Sequence, residues 1–378
     1  MPHPRSNTST SPRHGFTITE LLVVIGIIVL LIGLLLPALG KVIEKSRVTE
    51  STSAMEEFAK ACEAFKQEFG YYPGLLPEEA LANLETCNGI PLITPTENAI
   101  LHLSGGAVRE DELPVIIDGE KYDDINNIKF GEVVNSSGAT VDLIGEVMRF
   151  SWEDANGDLQ FIRVAVSAEA VGNGPIIKGK QYPPFYSPKG QQFSPSEYSS
   201  EDPIYAELEY LPTLKDAWGQ PIMYVRRIRK QGPLVSYYPG AGSSGGCGNK
   251  VAGQFEFRSQ DKLIKATQLG DLGTSQDLSL LNRARTVDGS DGLDSQTRTF
   301  AQILRNPALG AAEQPMTGTA RGDYILISAG PDGVFFQTTD GPGSAGNPVN
   351  NIVDNNNTQY ATPIVVSEYD DLIVAGGG

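Results

Sequence analysis

Leu21–Gly40 reads LLVVIGIIVLLIGLLLPALG, twenty consecutive residues without a charged side chain. A helix of this length extends about 30 Å, which is the thickness of the hydrocarbon core of a bilayer. An ordinary secretory signal would instead have an apolar run of about 7 to 15 residues followed by a small-residue cleavage site. The run therefore predicts a helix that spans a membrane.

Two residues in or beside this run are unusual for a plain membrane anchor. Glu20 is a carboxylate at its edge, where an ionisable group costs free energy and often has a function. Pro37 removes one backbone hydrogen bond and favours a kink. Taken singly, Glu20 could extend to the lipid headgroups and Pro37 could mark the end of the span.

The segment after the run predicts the amphipathic half of the same helix, over residues 41–70. Neither Pro nor Gly occurs between Lys41 and Phe69, and Gly70 supplies a stop signal. The apolar residues follow steps of 7, 3, 4, 3 and 4, which is one stripe on an α-helix. They are Val48, Met55, Phe58, Cys62, Phe65 and Phe69.

The segment before the run has a recognisable pattern. Residues 13–20, RHGFTITE, followed by the apolar run, resemble the class III leader of type IV pilins and type II secretion pseudopilins. In that family a prepilin peptidase cuts after the glycine and methylates the new N-terminal residue, which implies cleavage between Gly15 and Phe16. His14 stands where Lys or Arg is usual, and Arg13 supplies the basic charge one residue earlier. The resemblance implies a cytoplasmic leader, residues 1–15, and a transmembrane and assembly helix, residues 16–40, in the inner membrane.

The leader also implies a role for Glu20. After cleavage Phe16 would carry a cationic amine, and a charge in a low-dielectric helix bundle is tolerable when it is paired. If the amine of one subunit meets Glu20 of its neighbour, assembly itself supplies the pairing. The resemblance thus implies that Glu20 and Pro37 are assembly residues of a filament made of copies of this chain.

Three further segments resemble the major, G-class pseudopilins of type II secretion. They are Phe65–Pro73 at the predicted helix end, the Asp-x-Trp-Gly-x-Pro segment Asp216–Val225, and Tyr324–Gly333 with its Ser-x-Gly-x-Asp-Gly turn. Their order matches that class. The resemblance implies an α+β fold in which a long N-terminal helix packs on an antiparallel β-sheet head, pilin-like, with the periplasmic β-rich head formed by residues 71–378.

Length sets this chain apart from that class, because the head holds large insertions at about 75–215 and 231–321. Within the first, Val147–Trp152 and Leu159–Val166 flank Asn156-Gly157 and predict a β-hairpin. Residues 183–204 predict an irregular loop. We expect both insertions to decorate the exposed rim of the head.

Three acidic clusters are candidate calcium sites, because calcium prefers carboxylate and carbonyl oxygens. Residues 154–158 begin like an EF-hand loop but lack its glycine and its final acid, which favours a hairpin turn. Residues 288–294 hold three acids in a loop that could equally be solvated. The resemblance favours the third cluster and implies the ligands Ser328, Asp332, Asp370 and Asp371, with Asp340 as an alternative.

Composition excludes several function classes. The net charge of −17 opposes nucleic-acid binding, which needs a basic surface. After loss of the leader only His102 remains, too few for a zinc site, and its setting predicts the polar position of an amphipathic segment. The three cysteines allow at most one intramolecular disulfide, for which Cys87 with Cys247 is conceivable. Together with the absence of a nucleophile elbow, P-loop or dinucleotide fingerprint, this argues against an enzyme.

Two functions follow from the resemblance. The first is a structural subunit of a type II secretion pseudopilus or type IV pilus-like filament. Its partners would be further copies, the prepilin peptidase that is also the N-methyltransferase, other pseudopilins and the inner-membrane secretion platform. The alternative is a minor pilin or adhesin-type binding subunit whose insertions contact a partner or substrate.

Overall fold

The computed structural model is a mixture of helices and antiparallel sheets, which confirms the α+β class. It describes residues 17–82, 93–134, 138–153, 158–187, 193–195, 211–237, 250–260, 263, 281, 295–306, 316–336, 352–353, 359–360 and 370–377. Within these ranges it describes only the backbone at 34, 36–38, 133, 153, 193–195, 295–296, 352–353 and 359–360. The chain divides into two units, Met1–Ser46 and Arg47–Gly378, and we call the second the head unit.

The described elements run as follows. The helices are α1 (Ile18–Phe69), α2 (Glu78–Leu81), α3 (Pro95–Ser104) and α4 (Ser295–Leu304). The strands are β1 (Ala107–Arg109), β2 (Val115–Ile117), β3 (Glu120–Tyr122), β4 (Lys129–Val134), β5 (Thr140–Ile144), β6 (Glu146–Glu153), β7 (Leu159–Val166), β8 (Ile176–Ile177), β9 (Lys180–Gln181), β10 (Phe193–Pro195), β11 (Pro212–Leu214), β12 (Met223–Arg226), β13 (Tyr324–Ser328), β14 (Ile352–Val353), β15 (Gln359–Tyr360) and β16 (Leu372–Gly376).

Helix α1 ends where the sequence predicts. Gly70 follows it with a φ of 83°, a left-handed conformation that glycine adopts without steric cost, and its N–H donates to the Lys66 carbonyl at 2.7 Å. Among the described residues, which leave out the side chains at 34 and 36–38, no helix is long and apolar enough to cross a membrane.

The predicted apolar stripe of α1 is confirmed within the head unit. Met55, Phe58, Cys62 and Phe65 are all 0 % exposed. They pack in one cluster with residues of α3 and of the sheet β12–β13–β16. This stripe therefore holds the second part of α1 on the face of an antiparallel sheet.

Strand β13 lies at the centre of that sheet, between β12 and β16, and is buried along its whole length. Its residues alternate between the two faces, as expected for a period of two. Tyr324 and Leu326 join the cluster under α1, whereas Ile325 and Ile327 face a second cluster on the other side. The sheet therefore has two apolar faces, and both need cover.

The insertions supply much of that cover, so the prediction that they only decorate the rim is wrong. From the first insertion, Ile100 and Leu103 of α3 pack with α1. From the second, Leu234, Phe255 and Phe300 are 0 % exposed and pack against the other face of the sheet. The physical reason is that one helix can cover only one face of a three-stranded sheet.

The hairpin predicted in the first insertion is confirmed. Strands β6 and β7 pair antiparallel from Glu146↔Val166 to Glu153↔Leu159, and β1 adds a third strand. The turn residues 154–157 lie outside the described residues. The loop predicted at 183–204 includes one strand, β10, which pairs with β11.

Candidate assembly site

The first turn of α1 holds Glu20 in a capping box. The N–H and the hydroxyl of Thr17 each donate to Glu20 Oε2 at 2.8 Å, and the Glu20 N–H donates to Thr17 Oγ1 at 3.3 Å. This reciprocal arrangement satisfies backbone donors that a helix start leaves unpaired. Thr17 is not among the predicted assembly residues, although the Thr-x-x-Glu spacing is the signal for such a cap.

The part of α1 from residue 18 to residue 46, which we call the stem, exposes its described apolar side chains. The large ones range from 44 % exposed at Val24 to 78 % at Ile18, without a buried stripe. A helix that is apolar all round normally has an apolar environment. The backbone of Pro37 lies within α1. The side chain of Pro37, the residues Gly15 and Phe16, and so the predicted cleavage site, lie outside what the structure describes.

We call the three segments that resemble the G-class pseudopilins the signature segments. Asp216 of the second contacts Ser328 of the third, 112 residues further along the chain. Its Oδ2 accepts the Ser328 hydroxyl at 2.6 Å, and its Oδ1 accepts the N–H groups of Trp218 at 3.0 Å and Gln220 at 2.9 Å. Burial raises the pKa of Asp216, and these hydrogen bonds oppose the rise. The neighbouring Ala217 N–H donates to Ser51 Oγ of α1 at 2.9 Å. These hydrogen bonds hold the turn that begins at Asp216 against the signature segment Tyr324–Gly333 and against α1.

Tyrosines connect the same segments on the face of the sheet that packs against α1. The Tyr224 hydroxyl donates to the Pro73 carbonyl at 3.3 Å, and the Tyr324 hydroxyl donates to the Ala59 carbonyl of α1 at 3.3 Å. The ring of Tyr324 lies 4.9 Å from that of Tyr72 and 6.0 Å from that of Tyr224, between centroids. The three head signatures, which the sequence only places in order, therefore contact one another around α1.

Arg226 anchors the segment that follows α1 to strand β12. Its guanidinium donates to the carbonyls of Tyr72 at 3.1 Å, Gly74 at 3.3 Å and Leu76 at 3.0 Å, and to Glu78 Oε1 at 3.2 Å. Burial raises the pKa of Glu78 to about 7, although the charge of Arg226 lowers it. No local signal links positions 78 and 226, so the sequence could not reveal this cluster.

His102 is a core residue, and its predicted amphipathic setting is wrong. Every residue of α3 is buried, because the helix lies between α1 and a further apolar cluster. His102 Nδ1 accepts the Gly74 N–H at 3.1 Å, and its ring lies 4.7 Å from that of Phe65. Burial, and to a smaller extent the charge of Arg226, lower the pKa of His102 to about 3. His102 is therefore a neutral hydrogen-bond acceptor.

The C-terminal turn brings three of the predicted calcium ligands near one another. Asp371 is buried, and its two carboxylate oxygens accept the Phe336 N–H at 3.1 and 3.0 Å. Burial raises the pKa of Asp371 well above its usual range, and the charges of Asp370 and Asp332 raise it further. Asp340 lies outside the described residues.

The described part of this turn does not form a metal site by itself. The fourth predicted ligand, Ser328, directs its hydroxyl to Asp216. Across the part of the chain that the structure describes, no group of three or more His, Cys, Asp or Glu side chains could hold a metal ion. The candidate clusters at 154–158 and 288–294 lie largely outside that part.

Cys62 is a buried, free thiol in the cluster under α1, and burial raises its pKa well above the usual range. It is therefore a packing residue. Cys87 and Cys247, the predicted disulfide partners, lie outside the described residues.

A scan against protein-family models, a search of curated proteins and a search of solved structures each found no match to this chain. Any functional conclusion consequently depends on the residues and contacts described above.

Proposed function

We propose that this chain is a structural subunit of a type II secretion pseudopilus or type IV pilus-like filament. A prepilin peptidase would cleave it between Gly15 and Phe16 and methylate Phe16, and the subunits would polymerise through their N-terminal helices. The observation that carries the proposal is one helix with two kinds of surface. Its stem exposes apolar side chains on all sides, and its second part buries a single apolar stripe in an α+β head unit.

The contacts among the signature segments add support. The segments that resemble the family lie far apart in the sequence and contact one another in the head unit. Here Asp216 contacts Ser328, Ala217 contacts Ser51 of α1, and Tyr224 contacts Pro73. Together with the sequence resemblance, these contacts are the basis for proposing the G class of pseudopilins.

The proposed location is the inner membrane, with a single span and a periplasmic head. Leu21–Gly40 supplies the twenty uncharged residues that a span needs. A membrane, and later the neighbouring stems of a filament, would provide the apolar environment that the exposed stem side chains lack in the isolated chain.

The capping box suggests how Glu20 changes partners. Both Thr17 bonds go to Oε2, so Oε1 can accept from the amine of Phe16 on a neighbouring subunit. The cap keeps the carboxylate satisfied before assembly, and the incoming ammonium group neutralises it during assembly. Glu20 would then determine the register between subunits.

Co-expression of the full chain with a prepilin peptidase tests the proposal. We expect a mature N-terminus at N-methylated Phe16 by mass analysis and filaments in sheared material by electron microscopy. A chain that keeps its first fifteen residues and stays dispersed would contradict it.

A second candidate is a minor pilin or adhesin-type subunit, which one observation favours. In the first insertion Ile116, Leu159 and Phe161 are 57 %, 54 % and 61 % exposed. Large exposed apolar side chains of this kind often mark contact surfaces. Subunit counting discriminates the two: a major subunit would be numerous along the filament, and a minor one rare or confined to the tip.

A structural calcium ion is a further part of the proposal. Asp332, Asp370 and Asp371 would hold it, with Asp340 as an alternative ligand. The cation would offset the repulsion from Asp370 and Asp332, which adds to the larger effect of burial in raising the pKa of Asp371.

A further inference from the structure

The outer edge of strand β12 lies beside residues of both insertions. Among the described strands, β12 is outermost in the order β12–β13–β16, so the edge that faces away from β13 carries backbone groups that need other partners. Alternate residues of a strand direct their N–H and C=O groups to the same edge. Ile222, just before β12, and Tyr224 within it direct theirs outward. Both residues are 0 % exposed, so water does not satisfy these groups.

The hydroxyl of Thr96 satisfies two of the four outward groups at once. It donates to the Ile222 carbonyl at 2.7 Å and accepts the Tyr224 N–H at 3.0 Å. Thr96 belongs to α3 of the first insertion and is 0 % exposed. A strand paired with β12 at this place would offer one N–H and one C=O. A single hydroxyl, which can both donate and accept, replaces the two.

The other two outward groups also bind residues of the insertions. The Ile222 N–H donates to the carbonyl of Leu214, near the end of the first insertion, at 2.8 Å. The Tyr224 carbonyl accepts the side-chain amide of Gln260, in the second insertion, at 3.0 Å. Gln260 is 1 % exposed, so this contact is buried as well. Every outward group of these two residues therefore has a partner from an insertion.

We propose that the two insertions close the β12 edge of the head sheet to strand addition by another chain. An open edge is a template on which an extended segment of a second chain can pair, and crowding of heads in a membrane or filament favours such pairing. The side chains of Thr96 and Gln260 occupy the edge without presenting a new edge of their own. We call this arrangement the edge seal. It gives the insertions a role that holds whether or not the chain forms filaments.

Native-state hydrogen exchange of the full chain in detergent tests the edge seal at one amide. Thr96→Val removes the hydroxyl with little change in volume, so we expect the Tyr224 amide to exchange at least about tenfold faster than in wild type. Thr96→Ser keeps a hydroxyl and should stay within about threefold of wild type. An unchanged exchange rate in Thr96→Val would overturn the edge seal.

Thr213→Val is the matched control for this substitution. Thr213 is 1 % exposed, as buried as Thr96, but its hydroxyl has no hydrogen-bond partner among the described residues. The same change of side chain therefore removes no bond from the β12 edge. We expect the Tyr224 amide of Thr213→Val to exchange within about threefold of the wild-type rate.

Association at matched stability separates an edge seal from a contact that only stabilises the head. Denaturant below the unfolding midpoint brings Thr96→Val and Thr213→Val to the same free energy of unfolding, and light scattering then follows association. We expect Thr96→Val to associate at least about tenfold faster, because its β12 edge opens more often. In the associated material the Tyr224 amide should regain protection from exchange, since a strand of a second copy takes the place of the hydroxyl.

Equal association rates at matched stability would show that Thr96 only stabilises the head, and would overturn the edge seal. If Thr96→Val does not fold, Gln260→Met provides the same comparison, because it removes one donor from the edge and leaves α3 unchanged. We expect Gln260→Met to associate faster than Thr213→Val at matched stability, and equal rates would again contradict the proposal.

Discussion

The two parts of α1 differ in one property, the periodicity of their apolar residues. In the stem, Leu22 and Leu30 are 63 % and 65 % exposed, and apolar residues occur at nearly every position. In the second part, apolar residues recur every three or four positions, and Met55 and Phe58 are 0 % exposed. A periodic stripe finds its partner within the same chain, whereas an unbroken run needs an environment that the chain itself does not supply.

The contrast also has energetic consequences. Burying one large apolar side chain stabilises a fold by about 1.5 to 3 kcal/mol, so the stripe contributes strongly to the stability of the head unit. The exposed stem side chains make no such contribution there. Mutations in the two parts should therefore have different effects on the stability of the head unit.

Phe58→Ala should lower the free energy of unfolding of the head by about 4 kcal/mol, because it leaves a cavity between α1 and the sheet. Denaturant unfolding of the full chain in detergent measures this. The two tryptophans, Trp152 and Trp218, both belong to the head unit, so their fluorescence reports on it. Leu30→Ala in the stem is the matched control and should change the value by less than about 0.5 kcal/mol. Equal changes in the free energy of unfolding for the two variants would contradict the difference between the two parts of α1.

Asp216→Ala should destabilise the head by about 3 kcal/mol, because it leaves Ser328 and two backbone N–H groups without their acceptor. A double-mutant cycle with Ser328→Ala isolates the contact between the two signatures. We expect a coupling free energy of about 1 to 2 kcal/mol, and additive effects would show that the contact does not stabilise the head.

Glu78 should make stability depend on pH. Its pKa is about 7 in the folded chain against an ordinary value of 4.5, so the folded state retains a proton that the unfolded chain has released. The free energy of unfolding therefore falls as pH rises through this interval. Glu78→Gln removes the titration, and its stability relative to wild type should increase by about 2 kcal/mol from pH 5 to pH 8. A constant difference would place Glu78 in a solvated, ionised state instead.

His102 makes the free energy of unfolding depend on pH in the opposite direction to Glu78. Its pKa is about 3 in the folded chain against 6.5 ordinarily, so here the unfolded state binds the proton, and stability falls as pH drops below 6.5. Comparing Glu78→Gln with wild type at each pH cancels this contribution, because both chains contain His102.

Calcium should have the smallest effect. At a free concentration ten times the dissociation constant, a site at Asp332, Asp370 and Asp371 would add about 1.4 kcal/mol and raise the Tm by about 2 °C. Differential scanning calorimetry with calcium and with chelator measures the shift, and Asp371→Asn should abolish it. An identical Tm with calcium and with chelator would contradict the proposed calcium site.

The elements of α1 and of the sheet could be predicted from sequence because their signals are local. Steps of three and four gave the buried stripe, Gly70 gave the helix end, and Asn156-Gly157 between two alternating runs gave the hairpin. Each of these signals lies in neighbouring residues, so it can be recognised without a structure.

What the sequence did not reveal depends on contacts between distant segments. The burial of α3 and the anchoring of Arg226 on three carbonyls arise only when positions about 125 to 155 residues apart meet. The role of His102 as a neutral acceptor likewise depends on Gly74, which lies 28 residues before it. The cover for the second face of the sheet was missed for the same reason, since a rim position was inferred from length alone. Thr17 was the exception, because its capping signal was local and was overlooked.

The pairing of Glu20 with the amine of a neighbouring subunit is tested by comparing Glu20→Gln and Thr17→Ala with wild type after processing by the prepilin peptidase. All three chains should insert in the membrane and carry a mature N-terminus at Phe16, as shown by membrane fractionation and N-terminal mass analysis. If the carboxylate pairs with the amine of a neighbouring subunit, Glu20→Gln should lose at least about tenfold in filament yield, while Thr17→Ala, which removes only the cap hydroxyl, should stay within about threefold. Wild-type yield from processed Glu20→Gln would contradict the account.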